Sequence, residues 1–161
     1  MERKEKIKEL VLKQKINSEK QSVIRRYKER INVDLDSSSF VEMELSNEIK
    51  SASYQKIFSL DNKEFDQIED IIKMINKIER NNRDKLLNSI IFYNLNVFNI
   101  IELALGCRVT LDEALQLIKL SIDKICKGDL QADIIVVDEN LEYGFCVEVE
   151  EYSYLFTSWN L

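Results

Sequence analysis

Histidine and proline are absent from all 161 residues, and glycine occurs only at Gly106, Gly128 and Gly144. Without an imidazole the chain cannot assemble a Ser-His-Asp or Cys-His catalytic set, the usual general base near neutral pH, or a histidine-ligated metal site. Phosphate-cradling loops need several glycines close together, so P-loop and dinucleotide-binding fingerprints are absent too. Cysteine is scarce: Cys107, Cys126 and Cys146 are widely spaced and include no Cys-x-x-Cys pair. Such a set fits neither a secreted disulfide framework nor a zinc site. It points to reduced thiols packed as small hydrophobes in a cytoplasmic protein.

The chain also lacks an uninterrupted apolar run. Leu86 to Gly106 has the length of a membrane span but contains Asn88, Ser89, Asn94, Asn96, Asn99 and Glu102, which a bilayer core would penalise. Its first residues, Met-Glu-Arg-Lys-Glu-Lys, carry no signal-peptide core, and Glu2 stands where myristoylation needs glycine. The expectation is a cytoplasmic protein with no membrane partner.

What the chain does have is sorted charge. Residues 1–30 hold 11 Lys/Arg against 5 Glu, a net of plus 6 within a whole-chain net of minus 6, so the remainder sums to minus 12. Residues 128–161 hold 8 Asp/Glu and no Lys or Arg, and Ile31 to Glu48 is a second base-free stretch. Single-sign surfaces bear on partners and solubility more than on fold.

Periodicity predicts an α+β fold in one domain, residues 1–161, with a basic helix over residues 1–30 that projects from, or docks on, an acidic body of residues 31–161. Within that helix Ile7, Leu10, Val11, Val23, Ile24, Tyr27 and Ile31 recur at spacings of three and four. Ile31-Val33-Leu35 and Val41-Met43-Leu45 alternate with acids around Ser37-Ser38-Ser39 and predict a short antiparallel β-meander; Ser51 to Ser59 suggests a third strand. Three helices are expected next. The first opens on an Asp61/Glu64 capping box with a core face of Phe65, Ile68, Ile71, Ile72, Ile75 and Ile78. A central buried helix spans about Arg83 to Leu105. The last opens on Thr110/Glu113, buries Leu111, Leu115, Ile118, Ile122 and Ile125, and stops at Gly128. After it the period becomes two: a strand over Ile134–Val137, a turn at Asp138-Glu139-Asn140, a strand over Leu141–Glu150, and a last strand through Tyr152, Tyr154 and Phe156.

Three constellations bear on chemistry. Val33-Asp34-Leu35-Asp36-Ser37-Ser38 resembles the first motif of haloacid-dehalogenase-type phosphatases, which implies a nucleophile and an acid/base on magnesium; Ser37 and Ser38 replace the Gly and Thr that usually follow. Asp138 followed by Glu148-Val149-Glu150 resembles the carboxylate set of restriction-type nucleases, with Glu150 where a Lys belongs. The hairpin from Asn99 through Leu120 would suit a helix-turn-helix, but Asp112, Glu113 and Asp123 give its second helix no basic reading face. No catalytic, cofactor-binding or metal-ligating residue is therefore assigned, and a metal-dependent carboxylate nuclease or phosphatase is the third option only.

The leading expectation is a protein-binding module, not an enzyme. Alternation places Asp34, Asp36, Glu42, Glu44, Glu142, Glu148 and Glu150 on one acidic sheet face, with Tyr152, Tyr154 and Trp159 as aromatic anchors. Such a face suits a basic, nucleic-acid-acting partner, as an inhibitor, immunity protein, antitoxin or anti-defence protein would. The alternative is a nucleic-acid-associated regulator, monomeric or a homodimer, that uses Lys13, Lys20, Arg25, Arg26, Lys28 and Arg30 on the N-terminal helix.

Overall fold

The computed structural model describes residues 2–86, 88–93, 105–124, 134–150 and 153–161. The fold is α+β, with four α-helices and a six-stranded antiparallel sheet among these residues. In chain order they are α1 (Glu2–Ile31), a 3-10 turn (Ser37–Ser39), α2 (Met43–Ser59), β1 (Lys63–Phe65), α3 (Ile68–Asn82), β2 (Ser89–Tyr93), β3 (Cys107–Val109), α4 (Leu111–Lys124), β4 (Ile134–Asp138), β5 (Gly144–Val149) and β6 (Tyr154–Trp159). The sheet runs β1-β6-β5-β4-β2-β3, which places the first strand at one edge and β3 at the other.

Helices cover both faces of the sheet. Ile91, Ile134, Val136, Phe145, Val147 and Phe156 point to one side, where Ile71, Ile75 and Ile78 of α3, Leu115 and Ile118 of α4, and Tyr27 of α1 complete a core. Ile90, Ile135, Val137, Cys146 and Trp159 point to the other, against Ile49 and Ile57 of α2. Neighbours such as Ile134 and Ile135 are thus both fully buried, which is why β4 reads as a continuous apolar run.

Two predicted elements are overturned. The first β-meander does not form: residues 32–36 belong to no strand and Asn32 is left-handed at φ 54°, Phe40 makes one bridge to Cys107, and Met43–Ser59 is helical, which also replaces the third strand expected over Ser51–Ser59. The buried positions of α2 are Ser46, Ile49, Ser53 and Ile57, so serines occupy half of its inward stripe and mask the helical period. They suit a helix lying close to strands: Ser46 Oγ accepts from Gly106 N–H (2.7 Å), and Ser53 Oγ donates to the Ile49 carbonyl (2.8 Å). The central buried helix is likewise replaced by a turn after α3, then β2, and later β3; residues 94–104 lie outside the described set. Ile90 and Ile91 serve opposite cores, so this segment shows the all-round hydrophobicity that a buried helix would also have.

The Asp61/Glu64 capping box is overturned as well, because Lys63–Phe65 pairs with β6 and the helix begins after Gln67. The Thr110/Glu113 box is present in both directions: Thr110 N–H donates to Glu113 Oε2 (2.8 Å) and Glu113 N–H to Thr110 Oγ1 (3.2 Å). The expected stop at Gly128 lies outside the described residues, as does Ile125.

Candidate interaction surface

The acidic residues expected on one sheet face do not share one. Asp34 is in the segment between α1 and the 3-10 turn and pairs with Lys28 (2.7 Å). Asp36 caps the 3-10 turn: its Oδ1 accepts from Ser38 N–H (2.7 Å), Ser38 Oγ–H (2.6 Å) and Ser39 N–H (3.2 Å). Its carboxyl is held below the ordinary aspartate range, first by the Ser38 hydroxyl and then by the Ser38 amide. Glu42 and Glu44 stand at the start of α2, where the helix dipole favours anions. Glu142 is exposed in the β4–β5 turn, and its carbonyl accepts from Asn160 Nδ2 (2.6 Å). Only Glu148, half-buried on β5, and Glu150, exposed just beyond it, remain at the sheet.

α2 separates these groups. Its start is tied to the β3 side by Val41 N–H to the Gly106 carbonyl (3.0 Å) and by Ser46, the helix packs on β6, and its far end leads into the edge strand β1. Seventeen helical residues span about 25 Å, and six strands span about 24 Å, so the helix crosses the whole sheet. Asp36, Glu42 and Glu44 therefore lie at one edge, and Glu64 and Glu148 near the other. Direct register pairs Glu64 with Leu155 and Leu155 with Glu148, one row on the face that α2 covers.

At that second end the structure presents a feature that sequence patterning missed. Phe58 is 79% exposed and stacks on Tyr54, with ring centroids 5.8 Å apart; Leu60 is 40% exposed beside it. Ser59 Oγ–H to the Lys56 carbonyl (2.9 Å) and Leu60 N–H to the Ile57 carbonyl (3.3 Å) close the helix under them. Exposed Asp61 and Glu64 follow directly in the chain, together with exposed Lys63. The usable signal was the Ser46-Ile49-Ser53-Ile57 stripe: Phe58 falls one residue, about 100°, off it and so must face outward.

The expected aromatic anchors divide differently. Trp159 is 5% exposed and belongs to the α2-facing core, so its burial rules it out as a surface anchor. Tyr154 is half-buried against the opposite core, and Tyr152 lies outside the described residues.

On α1, Lys13 pairs with Glu9 (2.7 Å), Lys20 lies 5.2 Å from the Phe40 ring centroid, Lys28 holds Asp34, and Arg25 is exposed. Arg26 and Arg30 belong to the helix, but their side chains lie outside the described set. The helix docks through Val23, Ile24 and Tyr27 on the core it shares with α4, not across an acidic sheet face.

The carboxylate constellations come apart in the same way. Asp138 closes the β4–β5 turn, accepting from Asn140 N–H (3.0 Å) and Tyr143 N–H (2.6 Å), with Leu141 in the left-handed region at φ 60°. Glu148 lies toward the far end of that hairpin and points to the opposite face, so the two cannot share a metal. Among the described residues no group of three or more Cys, Asp or Glu side chains is placed to hold a metal ion.

The geometry defines a class: a sheet covered on both faces, with its distinctive exposed groups at the end of one crossing helix. Residues 23–159 match the model of the YxiF protein family, all but the first 22 residues and the last two, and the chain belongs to that family. No curated protein and no solved structure is significantly similar to it.

Proposed function

We propose that this protein is a small, non-enzymatic binding module, of inhibitor, immunity or anti-defence type, that docks a basic nucleic-acid-acting protein in the cytoplasm. The observation that carries this reading is Phe58: a 79% exposed aromatic at a helix end, seated on Tyr54 and followed by Leu60, Asp61, Lys63 and Glu64. Large exposed aromatics with an apolar neighbour and a charged rim are the usual energetic centres of protein interfaces. The rim at Phe58 is charged but mixed, with Lys50, Lys56 and Lys63 beside Asp61 and Glu64; it is the net negative charge of the chain after residue 30 that would steer a basic partner and raise its association rate by roughly ten- to a thousand-fold at low salt. The burial of Cys107 and Cys146 as free thiols supports a reducing compartment, and no described helix is long and apolar enough to cross a membrane.

The test is to place a photo-cross-linking phenylalanine analogue at position 58 of the full chain in its native host and identify what it captures. The expected product is one basic protein with nuclease or other nucleic-acid-directed activity, which titration with the wild-type chain suppresses. Capture of an acidic protein, or a captured activity that the chain leaves unchanged, overturns the proposal.

A further inference from the structure

The first half of α1 carries apolar residues on two sides: Leu12 and Ile16 align with the side that docks farther along the helix, and Ile7, Leu10 and Val11 do not. At about 100° per residue, Val23, Ile24 and Tyr27 form the docked side, whereas Ile7, Leu10 and Val11 centre roughly 145° away from it. These three are 52%, 61% and 45% exposed. Their stripe continues at three- and four-residue steps through Gln14, Asn17, Ser18 and Gln21, all exposed, so from Ile7 to Gln21 one seam bears no charge. Lys4, Lys8 and Lys15 border it on one side and Lys6 and Lys13 on the other; Glu5 and Glu9 start from the far side of the helix, and Glu9 reaches round to pair with Lys13.

We propose that this seam is a docking site for an amphipathic helix of a protein partner whose apolar stripe is flanked by Asp and Glu. Lysine on both borders complements acidic flanks and sets lysine against lysine in a pair of identical helices. A bilayer would meet Gln14, Asn17, Ser18 and Gln21 where it needs apolar groups. A nucleic acid would meet an uncharged centre where phosphates need cations. The seam precedes the family-matched residues 23–159 and lies on a different helix from Phe58, so the two sites stand or fall separately.

The experiment uses the full chain and two labelled three-heptad peptides with leucine at both core positions, one with glutamate and one with lysine at the flanking positions, followed by fluorescence anisotropy. The glutamate peptide is expected to bind at least about ten-fold more tightly, to weaken with salt, and to lose about ten-fold on Leu10→Asp, with thermal unfolding unchanged because Leu10 lies outside the core. Phe58→Asp is expected to leave this binding intact. Equal binding of the two peptides overturns the proposal. So does a Leu10-dependent dimer in light scattering, or Leu10-dependent binding to duplex DNA or to vesicles containing phosphatidylserine.

Discussion

The indole of Trp159 lies directly over Gly144 on the neighbouring strand. A Cβ at position 144 would stand 2.7 Å from Cε2 and from Cη2 of that ring, closer than real side chains approach. The glycine is required by this approach, and the pair seals the sheet beneath α2. Gly144→Ala must push the indole out of place and is expected to destabilise the fold by about 1–3 kcal/mol, the usual cost of overpacking. Trp159 is the single tryptophan, so its fluorescence in urea titrations reports the change directly. An unchanged midpoint and emission maximum would show that the contact carries no constraint.

Ser46 ties the start of α2 to the other edge of the sheet. Ser46→Ala leaves the buried Gly106 amide without its acceptor and is expected to cost about 1–3 kcal/mol, since an unsatisfied buried donor bears its full desolvation penalty. Hydrogen exchange is the sharper check, with the Gly106 amide losing protection ahead of the β4 and β5 amides.

Asp36 gives a pH signature. Its native carboxyl titrates below the unfolded value, so the stability it contributes is complete above the ordinary aspartate range and disappears as pH falls through the lowered native value. Wild type and Asp36→Ala are expected to differ in urea midpoint at pH 7 and to converge in strong acid. A difference that persists or widens in acid would mean that the capping geometry does not hold.

Burial, and secondarily the charge of Glu113, pushes the Cys107 thiol up to about 12. Under native conditions at pH 8, Cys107→Ala and wild type are expected to take up the same amount of a thiol reagent. One equivalent less in the variant would place Cys107 at the surface.

These outcomes bear on how much was readable from the chain. The helices around Ile71, Ile75 and Ile78 and around Leu115 and Ile118 were legible because each buries one regular stripe, and the second carries a complete capping box. The C-terminal strands were legible because Asp138 closes a short turn between period-two segments. α2 was not, since Ser46 and Ser53 replace hydrophobes where the helix lies close to the sheet, leaving Val41-Met43-Leu45 to imitate a strand. Ile90 and Ile91 were misread for the opposite reason: a strand buried on both faces has no polar side to reveal its period. The acidic surface inherited the first error. Alternation predicts one face for Asp34, Asp36, Glu42 and Glu44, whereas a salt bridge, a 3-10 cap and a helix start hold them, and the exposed aromatic lies in the segment whose pattern suggests a third strand.

The most direct test of the account is the affinity of the partner captured at position 58, measured with Phe58→Asp beside wild type while thermal unfolding confirms that both are equally folded. Phe58 is 79% exposed, so the substitution is expected to move stability by less than about 0.5 kcal/mol and to weaken binding by roughly thirty-fold or more, the scale of an interface hot spot. An affinity equal to wild type, in a protein of equal stability, would contradict the assignment of this helix end as the binding surface.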